Sequence, residues 1–519
     1  MNKQSIPPTV PSDNTPDRFS FLKGFTSKRL LTLNVVLATI YFLVLAFAFQ
    51  PGNHLLFYGL IAGEVFHLLQ LFGFCYTIWS DKVKQKFDAK FVAPVDIFIT
   101  VCGEPVDIVR ETAEAALAMD YPAFNVYLLN DGYVAKRDNW REVEKLATQL
   151  GITCITRQVG GGAKAGNINN ALRATKSPYI VVFDADHVPH ADFLRKTMGY
   201  FTDKKIGFVQ TPQFYKNQGV NAVTQAAWDQ QALFFGPILR GKNRINSAFM
   251  CGTNMVLNRK ALDEVGGMCE FNIAEDFLTS LFVHQKKWKS VYVPEVLAEG
   301  LAPEDFLSYY KQQYRWTRGS LEVIFKYNPL FRRGMSWAQR FQYLISASYF
   351  LSGFIVLFDA LLPLLFLFTG ITAVNTRTMT LAMIFIPYIF SSLYALQLSS
   401  NFTMSFRAIS FSISSFMIQI RGVYAVLTNQ KTVFAVTSKQ QIQGNFLYLV
   451  TPHIAYIVLA VAGVVFGLFR EGLSASLLAN LAWVAVNVAF FVPFIMAAAP
   501  ARTPRVKRRL ATNPAGVSK

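Results

Sequence analysis

Apolar residues along this chain fall into two textures. Long runs almost free of charge occupy both ends, and a central region of short apolar bursts separates them. Residues 30–49 carry no charge and are long enough to cross a bilayer, which takes ~20 helical residues. Gln50-Pro51-Gly52-Asn53 reads as a turn, and 55–79 as a second span interrupted only by Glu64 and His67. Those two read as a polar contact between helices, because the linear sequence shows no partner chain for a proton relay. After Arg340 the long runs resume at about 341–370, 381–400, 446–469 and 475–499, with Asp359 the only acid inside them. The pattern therefore predicts about six spans. Between the second and third of these later runs, 401–430 is apolar but studded with Arg407 and Arg421, and reads as a helix lying in the interface. The stretch 320–337, with Lys326, Arg332 and Arg333, reads the same way.

The central region has a different period. Val95-Asp96-Ile97-Phe98-Ile99-Thr100-Val101 reads as a buried strand, followed by helical texture over 104–119. Asn125-Val126-Tyr127-Leu128-Leu129-Asn130-Asp131-Gly132 is a strand ending in an acidic turn, and 140–150 reads as a helix. Tyr179-Ile180-Val181-Val182-Phe183 is a further strand, closed by Asp184-Ala185-Asp186. Strands alternating with helices, and acids at strand carboxyl ends, predict an α/β fold: a mostly parallel sheet with its ligand at that edge. The organisation expected is a disordered leader (1–29), two membrane helices (30–79) and a cytosolic catalytic domain (80–319). Interfacial and membrane helices (320–500) and a basic tail (501–519) follow.

Charge fixes the orientation. The turn between the first two spans has no Lys or Arg, whereas Lys28 and Arg29 precede the pair and Lys82, Lys84 and Lys86 follow it. The positive-inside rule puts the N-terminus and the central region in the cytosol of a multi-pass protein of the plasma (inner) membrane. The tail cations Arg502, Arg505, Lys507, Arg508 and Arg509 agree with a cytosolic C-terminus. No cleavage site of small residues follows the first apolar run, so it does not read as a signal peptide. The net charge of +18 over 519 residues, with 52% hydrophobic content, suits phosphate or anionic lipid. No aromatic-interleaved basic patch is present, so nucleic acid is set aside as a partner. Cys75, Cys102, Cys154, Cys251 and Cys269 are scattered without metal-finger or disulfide spacing.

Four places carry chemistry. Asp184 and Asp186 can both face one hard divalent cation that in turn holds a diphosphate; the alternative is a cap on the helix expected at Phe193. Asp131 ends an earlier strand, where an acid takes a base amide or ribose hydroxyl, or else forms an Asx turn with Gly132. Lys164-Ala165-Gly166-Asn167 follows Gly160-Gly161-Gly162, a loop that lets backbone come close and a cation that can neutralise phosphate. Glu275-Asp276 supplies a carboxylate apart from the metal pair, which is what an inverting glycosyl transfer needs as base; Asp276 is the choice, against a plain helix-terminus acid. At the seam between the two textures, Gln312-Gln313-Tyr314-Arg315-Trp316 combines amides, a fixed cation and an indole, groups suited to sugar hydroxyls, phosphate and a pyranose face.

Together these motifs resemble the catalytic subunit of bacterial cellulose synthase, a processive family 2 glycosyltransferase. The likeness rests on Val95-Asp96-Ile97-Phe98, Asn130-Asp131-Gly132, Lys164-Ala165-Gly166-Asn167 and Val182-Phe183-Asp184-Ala185-Asp186-His187-Val188-Pro189. It continues through Val209-Gln210-Thr211-Pro212-Gln213-Phe214, Phe249-Met250-Cys251-Gly252-Thr253, Glu275-Asp276 and the Gln312–Trp316 cluster. Phe434-Ala435-Val436-Thr437-Ser438-Lys439 is similar to the family's gating loop, placed here at 431–445. The resemblance implies a GT-A domain on a transmembrane channel, taking UDP-glucose with Mg²⁺ or Mn²⁺ at Asp184 and Asp186. It implies donor contacts from Thr100, Glu104, Asp131, Lys164, Asp184, Gln312, Arg315 and Lys439. Acceptor contacts would come from Trp316, Phe249, Cys251, Gly252, Gln210 and Thr211. Asp276, Glu275 and Asp186 would form the catalytic group, with Phe434, Val436 and Thr437 closing over the nucleotide.

The expected product is a β-glucan, most simply β-1,4-linked cellulose, extruded across the bilayer past a possible accessory subunit that guides export. The departures are specific. Asn130-Asp131-Gly132 stands for the more usual Asp-Asp-Gly, Ala274-Glu275-Asp276 for Thr-Glu-Asp, and Val101-Cys102-Gly103-Glu104-Pro105 for a Tyr-Asn-Glu-Pro turn near the uracil. Two N-terminal spans and the PilZ barrel of the long synthases are not expected in this chain. Arg505 and Arg509 fit that domain's RxxxR pattern, but about ten residues follow, so no cyclic di-GMP site is expected. Curdlan, mixed-linkage, chitin or hyaluronan synthesis, non-processive glycosylation of a lipid, and a transporter with a non-catalytic insert remain the alternatives.

Overall fold

A computed structural model describes residues 20–24, 27–375, 378–430 and 442–500. Most of the leader, the expected gating-loop residues Phe434, Val436, Thr437 and Lys439, and the basic tail lie outside the described residues. Helices α1 (Lys28–Leu43) and α2 (His54–Ile78) lead into the central domain. Its sheet has seven strands: β1 (Val95–Val101), β2 (Phe124–Asn130), β3 (Thr153–Thr156), β4 (Tyr179–Asp184), β5 (Ile206–Gln210), β6 (Met255–Asn258) and β7 (Lys289–Tyr292). Their spatial order is β7-β5-β6-β4-β1-β2-β3, and only β6 runs against the rest.

Every residue of the central strand β1 is buried, which is why its apolar residues do not alternate with exposed polar ones; its one charge, Asp96, is buried and accepts from the Ser177 amide and hydroxyl. On one face Ile97, Ile99, Val181 and Phe183 pack against α3 (Val106–Leu117) and α4 (Trp140–Leu150). On the other, Phe98, Leu129, Ile180 and Val182 pack against α5 (Ala163–Ala174). The three strands expected from sequence are present. Strands β3, β5, β6 and β7 are four or five residues long, too short for periodicity to announce them.

The remaining long helices are α6 (Ala222–Leu233), α7 (Glu275–Gln285), α8 (Phe306–Tyr327), α9 (Trp337–Ser348), α10 (Ser352–Thr369) and α11 (Thr378–Ser399). They are followed by α12 (Phe406–Ser414), α13 (Phe416–Leu427), α14 (Thr451–Glu471) and α15 (Ala475–Ala498). Seven helical stretches among the described residues are long and apolar enough to cross a membrane, one more than the sequence pattern predicts. The additional one is Phe406–Leu427, read above as interfacial. It is broken at Ser415 into helices of 9 and 12 residues and is the most buried of the seven.

The stretch 320–337 is not a helix of its own. Its first part is the end of α8, which stops where Pro329 restricts Asn328; a 3₁₀ turn, Pro329–Phe331, then leads to α9. Helix α8 joins the two halves of the molecule. Its Thr317 fits against Gly422 of α13, where a Cβ would lie 2.4 Å from the threonine Cγ2. Arg421 donates to the Tyr310 hydroxyl at 2.6 Å, and Tyr309 packs edge-on against Phe411. In the membrane half, Gly59 and Gly63 bring α2 close to α10: a Cβ would meet Phe358 at 2.6 Å and Ile355 at 3.1 Å.

Candidate active site

The strand order places the chemistry-bearing residues along one sheet edge. Strand β1 lies between β2 and β4, with Val101 opposite Asn130 and Thr100 opposite Asp184. Asp131, one residue past β2, and Asp184, the last of β4, are thus two strand spacings apart, roughly 10 Å. Between them the β1 turn contributes Thr100, whose hydroxyl donates to Asp184 Oδ1 at 3.2 Å. In the same turn Glu104 accepts from the Cys102 amide at 2.5 Å. Burial, and the carboxylates of Glu104 and Asp131, push the Cys102 thiol up to about 11.

Asp131 is buried, and both its oxygens accept from the Arg157 guanidinium at 2.7 Å. Burial raises its pKa against the opposing pull of that cation. The Asx turn weighed for this residue is made by its neighbour, since Gly132 donates to Asn130 Oδ1 at 2.9 Å. Arg157 was missed in the sequence because it follows β3, a strand without an apolar run. Its signal is a basic residue one step beyond a strand end. Removing one partner of a buried ion pair costs ~3–5 kcal/mol. Arg157→Ala is therefore expected to lower the melting temperature and weaken nucleotide binding at least tenfold. Calorimetric titration with UDP checks the second effect.

Asp184, Asp186 and His187 each offer a ligand atom, and these atoms lie within 4.8 Å of one another. Both ring nitrogens of buried His187 make no hydrogen bond among the described residues, and the Leu301 amide donates to Asp186 Oδ2 at 3.3 Å. Two carboxylates with an imidazole beside them fit a hard divalent cation. The pair does not cap the following helix, whose N-cap position is Asp192. Burial works to raise the Asp184 carboxyl, but the Lys164 ammonium paired with it holds it below the ordinary range.

Lys164 links this edge to the opposite wall. Besides Asp184 it donates to the Gly252 carbonyl at 2.7 Å. Gly252 has φ +83°, and a Cβ there would lie 3.2 Å from Asp276 Oδ2, so a glycine keeps that carboxylate face open. Glu275 and Asp276 occupy the first turn of α7, and Asp276 Oδ1 accepts from the Phe277 amide at 2.7 Å. Asp276 thus caps the start of α7 with Oδ1, while Oδ2 faces Gly252. Burial raises both carboxyls, Glu275 to about 7 with the Asp276 charge as second cause, while Lys164 and Arg315 pull the other way.

Arg315 belongs to α8, whose Gly319 lies so close to Ala274 that a Cβ would sit 2.4 Å from it. Gln312, Arg315 and Trp316 have i, i+3, i+4 spacing and share one face of that helix, each half-buried. Phe249 packs on Phe277 at 4.7 Å, and the Cys251 thiol is raised by burial and by Asp276. Gln210 and Thr211 are fully buried and reach the site only through the loop they brace: Gln210 accepts from the Cys251 amide at 2.8 Å and donates to the Thr253 carbonyl at 2.8 Å. Thr211 donates to the Asn254 carbonyl at 3.1 Å.

A sheet edge lined by acids paired with Arg157 and Lys164, a cation-ready carboxylate pair and a separate raised carboxyl define the class: a GT-A fold arranged for glycosyl transfer. Comparisons with known proteins agree. The family model for glycosyltransferase-like family 2 matches residues 93–319, and that for cellulose synthase matches 263–471. The catalytic subunit of UDP-forming cellulose synthase from Pseudomonas fluorescens (strain SBW25) is 30% identical over 474 residues, spanning 87% of this chain and 63% of that protein. Cellulose synthase 2 of Novacetimonas hansenii is also 30% identical over 474 residues, which is 29% of its length. The chain thus spans less than two thirds of these relatives. Among solved structures, a mannosyltransferase from Pyrobaculum calidifontis in complex with GDP-Man and Mn2+ superposes with TM-score 0.55 at 14% identity. It covers 72% of this chain and 100% of its own. The chain belongs to the family 2 glycosyltransferases related to cellulose synthase catalytic subunits.

Proposed function

We propose that this protein polymerises glucose from UDP-glucose into a β-1,4-glucan at the cytosolic side of the plasma membrane and passes the chain outward through its helical bundle. The observation that carries the reading is the position of α8. The helix bearing Gln312, Arg315 and Trp316 packs against the Glu275-Asp276 turn on one side and against α13 of the membrane half on the other. A product released beside Trp316 is already at the bundle.

In this reading Asp131 and Glu104 take the nucleoside, with Thr100 beside them, and Lys164, Arg315 and Gln312 face the diphosphate. A divalent cation, Mg²⁺ or Mn²⁺, held by Asp184 and Asp186 with His187 beside them, would neutralise the diphosphate. Asp276 Oδ2 accepts the proton of the acceptor hydroxyl, whose oxygen bonds to the anomeric carbon of glucose as the bond to UDP breaks. Trp316 offers its face to the terminal sugar, with Phe249, Cys251 and Gly252 across from it. The α12–α13 pair lies in the cytosolic interface.

The test is the product made by the purified protein from UDP-glucose. A long polymer that yields 4-linked glucose on linkage analysis is expected; a single sugar added to lipid, or polymer made only from UDP-N-acetylglucosamine, overturns the reading. The pH profile is a separate check. Asp276 must be ionised to act, so the rate falls as pH drops through the raised pKa of the pair, at a pH above that of ordinary carboxyls. Glu275→Gln removes the neighbouring charge and is expected to move this acid limb to lower pH, read from initial rates of UDP release.

A further inference from the structure

In the sequence, Glu64 and His67 look isolated within a span; the fold gives them partners from three other helices. The Gly59/Gly63 contact presses α2 against α10 beside Asp359. His67 Nδ1 lies 3.7 Å from Glu64 Oε2, and the Tyr41 hydroxyl of α1 donates to Glu64 Oε1 at 3.0 Å. Asp359 lies within electrostatic reach of both Glu64 and His67, and its buried Oδ1 has no hydrogen-bond partner among the described residues. Tyr388 of α11 stacks on Tyr41 at 5.2 Å, and Cys75 of α2 lies beyond it. The bodies of α2, α10 and α11 contain no Lys or Arg to balance two acids.

Carboxylates in hydrocarbon are costly unless neutralised. A metal ion would need the ligand atoms closer together: among the described residues, only Asp184, Asp186 and His187 meet that spacing. What fits a looser group of two carboxyls, an imidazole and a phenol is a proton. We infer that Glu64, His67 and Asp359 form an intramembrane proton-binding site at the α2–α10 seam, exchanging one proton between the Asp359 carboxyl and the Glu64–His67 pair. Loading the site forms one O–H or N–H bond with a proton taken from water, and no other bond changes. The unloaded site carries an extra negative charge that loosens the seam. The inference does not depend on which sugar the cytosolic site transfers.

The test uses the full-length protein in lipid bilayers, with Glu275→Gln as background so that the cytosolic carboxyl raised to about 7 is silent. Infrared difference spectra between about pH 5 and 8, the range in which imidazole titrates, read the carbonyl stretch of protonated carboxyls. A titrating band is expected that falls by half or more in both Glu64→Gln and Asp359→Asn. In His67→Gln its midpoint should move to higher pH, because the cation that favours the ionised carboxyl is gone. A band unchanged in Glu64→Gln and Asp359→Asn, or a midpoint unmoved in His67→Gln, overturns the site. Should Asp359→Asn fail to fold, the His67→Gln midpoint decides alone.

Discussion

Asp276→Asn is expected to lose polymer synthesis by ~10²–10⁴-fold, the usual contribution of a positioned general base, while UDP affinity stays within twofold. The substitution keeps the size of the side chain and an Oδ1 that accepts the hydrogen bond from the Phe277 amide, so α7 retains its start. What it removes is the anionic oxygen beside Gly252. In the proposed reading the nucleotide is held on the other wall by Asp131, Lys164 and the Asp184/Asp186 pair, so binding and turnover should separate. Turnover within about tenfold of wild type, a barrier change of ~1.4 kcal/mol, would show that Asp276 is not the base.

Asp186→Asn should produce the opposite pattern, in which binding and turnover fall together. Asp186 is 2% exposed and pairs its carboxylate with the Leu301 amide and His187. Neutralising it would leave a cation bound there with one carboxylate. The expected loss is at least ~10² in turnover, the scale reached when a group that stabilises developing charge is removed. UDP affinity should lose its dependence on Mg²⁺ or Mn²⁺ as well. The wild-type protein treated with a chelator should match the variant and recover when metal is restored. Metal-independent UDP binding by wild type would exclude this assignment.

How much of this was legible beforehand depended on the range of each signal. β1, β2 and β4 announced themselves because each holds a run of at least three consecutive apolar residues, most of them buried. Asp131, Asp184 and Asp186 followed from standing at those strand ends. Asp276 and the α8 cluster were legible as residue types, but their proximity was not. It depends on Gly319 lying against Ala274, a contact between helices whose spacing no local pattern encodes. Arg157 escaped because a four-residue strand leaves no periodic trace. Gln210 and Thr211 were read as acceptor contacts from their motif, while the structure shows them fully buried behind the loop that faces the site. A seventh stretch is long and apolar enough to cross a membrane, Phe406–Leu427; its Arg407 and Arg421 are what made it read as interfacial, and its helix break at Ser415 is invisible to hydropathy.

The central claim is that the base, the metal-ready carboxylates and the mouth of the helical bundle serve one reaction. Proteoliposomes with the catalytic domain facing outward, supplied with UDP-[¹⁴C]glucose and Mg²⁺, test it most directly. Labelled glucan should accumulate inside the vesicles, resisting added β-glucanase until detergent is added. Label digested in full before detergent, or confined to single-sugar adducts, would contradict it.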